Sequence, residues 1–362
     1  MNKHVLPLLG LVTIAVILGV LFTPSGKVTE TSKGKMFPDI QEQAAQVSHF
    51  LIKNADGILL DAKREITSNG TQWIASNYHG YPVSQEKLSA LLEQLVSAQK
   101  VEPKTSKADK YARLGVEPLE AEDAQSVLLQ VQSGSGADTN IVDLLVGNAS
   151  TGGSYVRVNG NTQSWLIDQI ITLPDSQMDW LLQPILDVAP EQVKSLTLED
   201  GGANKGHGWT VSKNMSEDDN YQLENMPEGR ELRYSSILNS TVSSLVELQF
   251  DDLSAIDESI WQDVNTIKSL KLSTFDEREI RVRMRNVEDK TWIRFDMDGN
   301  ASGVAPDTAP SPYWTQWQYQ ITSFAANQFD KTVEDFLSEP VEENEAAVSD
   351  VEANSESAEN TN

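Results

Sequence analysis

Residues 5–22, VLPLLGLVTIAVILGVLF, constrain this chain more than any other stretch. The run has 18 residues and no charge. As a helix rising ~1.5 Å per residue it would be about 27 Å long, close to the hydrocarbon thickness of a bilayer. Lys3 precedes it and Thr23-Pro24-Ser25-Gly26 follows. Val20-Leu21-Phe22 is bulky where a signal-peptide cleavage site requires small residues. The expectation is an uncleaved single-pass anchor over residues 1–24, touching the membrane through residues 5–22. Long domains follow an export signal largely regardless of flanking charge, so the bulk of the chain is expected on the periplasmic side of a bacterial inner membrane.

Composition narrows what the exported part can do. The formal net charge is −26 over 362 residues. From Glu339 to the end there are eight carboxylates and no Lys or Arg, which leaves −18 on the rest. Phosphate-backbone binding needs Lys and Arg to displace counterions, so no nucleic-acid partner is expected. There is no cysteine, which excludes disulfides, a thiol nucleophile, Cys-ligated zinc and a lipid-modified N-terminal cysteine.

The pattern predicts an α+β chain: an N-terminal transmembrane helix followed by two similar α+β repeats with mainly antiparallel sheets. The divisions are 1–24 anchor, 25–46 tether, 47–190 first repeat, 191–337 second repeat and 338–362 acidic disordered tail. Strands are expected at 47–53 and 57–65 around the turn Asn54-Ala-Asp-Gly57, and again at 70–74. Ser84 caps a helix whose Leu88, Leu91, Leu92, Leu95 and Val96 recur at helical spacing. Strands follow at 127–131, 141–146 and 155–158, with 147–153 as a hairpin loop. Residues 175–186 read as a helix. The order then restarts. Val193, Leu196 and Leu198 repeat the spacing of Val47, Phe50 and Ile52, and Trp209 follows a glycine-bearing turn as Trp73 does. Ile237, Thr241, Val242, Leu245 and Val246 restate the helix, and 269–273, 279–284 and 292–295 restate the closing strands.

A chain of marks in the first repeat resembles a bacterial family known as domain of unknown function 4340. They are Trp73, the Ser84 helix, Tyr111-Ala-Arg-Leu114-Gly115-Val116-Glu117-Pro118, Leu145-Val146-Gly147, and Gly153-Ser154-Tyr155-Val156-Arg157. Ala112-Arg113 sit inside the Tyr-Gly-Leu-x-x-Pro element of that family, and Val116 stands for a leucine. The resemblance implies membrane-anchored proteins, some of them associated with ABC-type systems like those linked to gliding motility. Inner-membrane or envelope proteins, including an ABC-type transporter complex, are then the implied partners. It supplies no catalytic residues.

No residue constellation points to a reaction, a cofactor or a metal. The four histidines are solitary, and His49 is expected on the solvent face of its strand. Asp296-Met-Asp298-Gly-Asn300 starts like a calcium loop but lacks the closing glutamate. The ligand-binding candidates are Tyr155 and Arg157, which share a strand face and could hold a carboxylate or a sugar. Trp314 and Trp317 belong to the densest aromatic stretch and could form a core, a glycan platform or a partner surface. The sequence therefore points first to a non-enzymatic, periplasm-facing accessory protein. The alternative is an envelope glycan- or small-ligand-binding module.

Overall fold

The computed structural model describes residues 34–67, 70–134, 140–300 and 312–339. The expected anchor and all but the first two residues of the acidic tail lie outside them. Among the described residues no helix is long and apolar enough to cross a membrane.

The first half contributes β1 (Val47–Asn54), β2 (Gly57–Thr67), β3 (Gly70–Ala75), β4 (Tyr81–Pro82), α1 (Gln85–Ser97), β5 (Lys100–Pro103), β6 (Val127–Ser133), β7 (Asn140–Ser150), β8 (Gly153–Val158) and β9 (Ser164–Ile167). The second contributes β10 (Val193–Leu198), β11 (Trp209–Ser212), β12 (Gln222–Leu223), α2 (Ile237–Val246), β13 (Asp252–Ala255), β14 (Lys268–Thr274), β15 (Arg278–Val287), β16 (Lys290–Asn300) and β17 (Trp317–Ile321). Each half forms one antiparallel sheet. The orders are β4-β3-β2-β1-β6-β7-β8-β9-β5 and β12-β11-β10-β14-β15-β16-β17-β13. From β1 toward β5 and from β10 toward β13 the two match strand for strand, while the other flank has three strands in the first sheet and two in the second. In both, the strand after the helix goes to the far edge and the chain then returns to the centre.

The first strands show why their apolar spacing departs from strict alternation. Val47, Phe50 and Ile52 are buried, as are Val193, Leu196 and Leu198. The register slips between Val47 and His49 against β6, and between Val193 and Ser195 against β14. A bulge at the same place in each half lets an i, i+3, i+5 set face one core. Helix α1 begins at Ser84, whose Oγ accepts from the Lys87 amide, and it buries Leu88, Leu91, Leu95 and Val96. Helix α2 buries Ile237, Leu238, Val242 and Leu245.

Three expectations are corrected. Residues 34–46 are not all tether: Met36, Phe37 and Ile40 are buried, and the Met36 amide donates to the Ala98 carbonyl at 2.8 Å. These apolar side chains gain more by docking than a polar linker would. Residues 175–186 form a single 3-10 turn at Met178–Trp180, not a helix. Ser84 N donates to the Trp180 carbonyl and Leu182 N to the Pro82 carbonyl, both at 2.9 Å, so this backbone pairs beside β4. Pro184 also removes a donor and disfavours helix at the preceding residue. Finally, β7 runs on to Ser150, so most of 147–153 is bulged strand rather than loop.

The halves are fused by an aromatic core. The Tyr81 ring meets Phe250, Tyr313, Trp317 and Tyr319 at centroid distances of 5.4, 5.9, 4.9 and 6.0 Å. Burial pushes the phenols of Tyr81, Tyr313 and Tyr319 above their ordinary value, which keeps them neutral. Ile185 N also donates to the Leu248 carbonyl at 3.0 Å across the junction.

Candidate functional site

Alternation along β8 sends Val156 into the main core and Tyr155 and Arg157 to the opposite face. That face is covered by residues 104–126, which follow the edge strand β5. Arg157 is buried there. Its Nε donates to the Val116 carbonyl at 2.9 Å and its Nη1 to the Asn161 carbonyl at 2.8 Å. Its guanidinium carbon lies 4.4 Å from the centre of the Tyr111 ring, and the Tyr111 hydroxyl donates to the Thr162 carbonyl at 2.5 Å. Burial lowers the Arg157 guanidinium from its ordinary value, while Tyr111 and the Glu117 carboxylate raise it. Leu145 is buried beneath the same segment, together with that segment's own Tyr111 and Val116, apart from the main core.

Gly147 completes the contact. A Cβ there would overlap the carbonyl oxygens of Leu114 and Gly115, and Asn148 N donates to the Leu114 carbonyl at 2.9 Å. The three separated marks around Tyr111–Pro118, Leu145–Gly147 and Tyr155–Arg157 thus meet at one clamp, which pins the covering segment to the sheet.

A family model described as Domain of unknown function (DUF4340) matches residues 73–274, more than half of the chain. The chain belongs to that family. No curated protein and no solved structure matches it. The DUF4340 match begins in β3 and ends with β14, so it runs across both halves.

The second half of the DUF4340 chain carries the same clamp, which the sequence reading missed. Arg294 lies on β16, the strand that corresponds to β8, and is buried. Its Nη1 donates to both oxygens of Glu258, at 3.0 and 3.1 Å, and its Nη2 to Asp296 at 2.8 Å. Its guanidinium carbon lies 5.8 Å from the Trp261 ring. Glu258 and Trp261 belong to the segment after β13, as Tyr111 belongs to the segment after β5. The cross-strand partners match as well. Ser164 opposite Arg157 accepts from Thr105 N at 3.0 Å, and Gln318 opposite Arg294 accepts from Asp257 N at 3.0 Å. Gln318 also accepts from Trp261 Nε1 at 2.9 Å. One signal was legible: Trp292-Ile293-Arg294 restates Tyr155-Val156-Arg157.

The four ligand candidates are not brought together. Tyr155 is half-buried with Lys104 over its ring, and Arg157 is buried in the clamp, where its Nε and Nη1 are bonded and its Nη2 has no hydrogen-bond partner. Trp314 is wholly buried, its Nε1 donating to Asp187 at 2.9 Å, and Trp317 packs in the junction core. His49, which alternates with the buried Phe50, is half-buried and bonded to Asp61 at 2.7 Å and Gln132 at 3.0 Å. Asp296 and Asp298 pair with Arg283 and Arg281 at 2.7 and 2.6 Å. Among the described residues no cluster could hold a metal ion.

Two hollows remain. One, of about 270 Å³, is polar; Lys268 in it pairs with Asp330, and Arg285 donates to the Ile260 carbonyl. The other is a groove of about 480 Å³ where the two halves meet. Met178, Leu248, Phe250 and Phe324 give it apolar lining, and Asp179, Glu247 and Asp251 give it carboxylates, with no Lys or Arg among its lining residues. Phe324 is 78% exposed. The groove can bind; it brings together no paired acid and base for proton transfer.

Proposed function

We propose that this DUF4340 chain is a membrane-anchored accessory protein that holds its fused two-sheet body on the periplasmic side of the inner membrane and docks an envelope protein, such as an ABC-type complex. The observation that carries the binding reading is the junction groove, with an exposed phenylalanine beside carboxylates that form no salt bridge. The uncharged run 5–22 supports anchoring. The matching strand orders and duplicated arginine clamps support two copies of one unit, which together form the rigid body.

The test starts from native membranes. Full-length protein is expected to stay in the membrane pellet through high-salt and alkaline washing. A chain beginning at Lys27 is expected to be soluble and folded. A photo-reactive residue at position 324 is expected to crosslink an envelope protein in intact membranes, and the same probe at Glu120, on the covering segment of the first half, is not. Release of the full-length chain by salt alone overturns the anchor. Equal crosslinking from both positions overturns the docking role.

A further inference from the structure

The groove contains enough chemistry to say what kind of segment fits it. Its lining is mixed: Leu248 and Phe250, both buried, and half-buried Met178 lie among Gln183, Gln249 and Gln328. Its rim carries Asp179, Glu247 and Asp251, all exposed. None of these three carboxylates takes part in a salt bridge, although the Lys87 ammonium donates to the Asp179 backbone carbonyl; Glu247 and Asp251 have no such neighbour among the described residues. By contrast, Asp296, Asp298 and Glu279 on the second sheet are all paired. Phe324 stands beside them on the short helix Ser323–Asn327. A single exposed apolar residue is ordinary on a protein surface. An exposed phenylalanine beside a groove of mixed lining, where Glu247 and Asp251 form no salt bridge, is a more specific combination. An apolar side chain could fill the groove, and a cation next to it would meet the rim. The net charge of −26 adds long-range attraction for a cation.

We infer that the groove receives a peptide segment of a partner protein in which a lysine or arginine stands next to a large apolar side chain. This rests on the docking role proposed above and names its chemistry. The apolar side chain packs on Phe324 and Phe250, and the cation sits between Glu247 and Asp251. An anionic or nucleotide-like ligand meets like charge on this rim.

The test uses full-length protein in detergent and a fluorescent synthetic peptide in which lysine and arginine alternate with leucine and phenylalanine. Binding is read by anisotropy. Phe324→Ser, and separately Glu247→Gln with Asp251→Asn, are expected to weaken binding about tenfold, the scale of losing an interface anchor. Glu120→Gln with Glu122→Gln removes the same charge from exposed positions elsewhere and is expected to change affinity less than about twofold. A peptide of equal charge with serine in place of the apolar residues is expected to bind about tenfold more weakly. All the substituted residues are exposed, so thermal melts should match the parent. Equal weakening by the control pair, or equal binding of the serine peptide, overturns the inference by reducing it to net charge. If position 324 crosslinks an envelope protein but the basic apolar peptide fails to bind, the docking role stands and the stated chemistry falls. If both fail, both fall.

Discussion

Arg157 and Arg294 show how a residue suited to ligand binding can be consumed by folding. Each guanidinium is buried on the outer face of its sheet and answers a segment that would otherwise lift away. Arg157→Met is expected to destabilise the protein by about 2–4 kcal/mol, because the Val116 and Asn161 carbonyls lose their donors and Tyr111 loses its stacking partner. Arg157→Lys should not restore it, since an ammonium cannot aim two N–H groups in a fixed fork. Urea melts check both; a near-neutral Arg157→Met would remove the clamp from the account. Gly147→Ala is expected to cost about 1–3 kcal/mol by overpacking, because the atoms in its way are backbone carbonyls that cannot rotate aside. Neither residue announced this role in the sequence. Arg157 could be placed on a face, but what covered that face came from residues thirty and more positions away.

At the scale of elements, periodicity was a good guide wherever an element has one solvated and one buried face. The spacing of α1 and its Ser84 cap were legible for that reason, as were both hairpins of each closing sheet. It failed at 175–186, where after a single 3-10 turn the backbone groups bond to the edge of a sheet. The tryptophan pair divides in the same way. Trp209 is buried, its Nε1 donating to the Lys331 carbonyl at 2.8 Å and its ring 5.3 Å from Phe336. Trp73 is half-buried against Phe50 at 5.2 Å, on a strand one step farther from the sheet centre. Trp209→Ala is therefore expected to cost about 3–5 kcal/mol, the usual scale for a buried aromatic. Trp73→Ala should cost clearly less. Equal losses in denaturant melts would mean the two residues are equivalent after all.

The whole molecule should behave as one cooperative body, because Tyr81 of the first half is packed among rings of the second. Hydrogen exchange followed in peptides from each half during urea unfolding is expected to give coincident transitions. Tyr81→Ala should lower both midpoints together; separate midpoints in the parent protein would show two independent domains. The cut that removes the acidic tail belongs after Glu339. Leu337 is buried, and Ser338 N donates to the Glu231 carbonyl at 2.8 Å. Removal of 340–362 is expected to leave the melting temperature unchanged, since a segment rich in carboxylates and poor in large apolar residues has little core to contribute. A drop of several degrees would mean that the tail docks.

Local order was determined by the sequence itself: which stretches pair as strands, which face of each helix is apolar, and that the order of elements repeats. Those properties depend on the side-chain period within a short window, and burial of one face makes that period visible. The tertiary structure alone decided what Arg157, Arg294, Trp314 and Trp317 touch, that Met36, Phe37 and Ile40 join the core, and that the halves meet at a groove whose carboxylates form no salt bridge. Each of these depends on surfaces contributed by residues far apart in the chain, and no local window contains the partner.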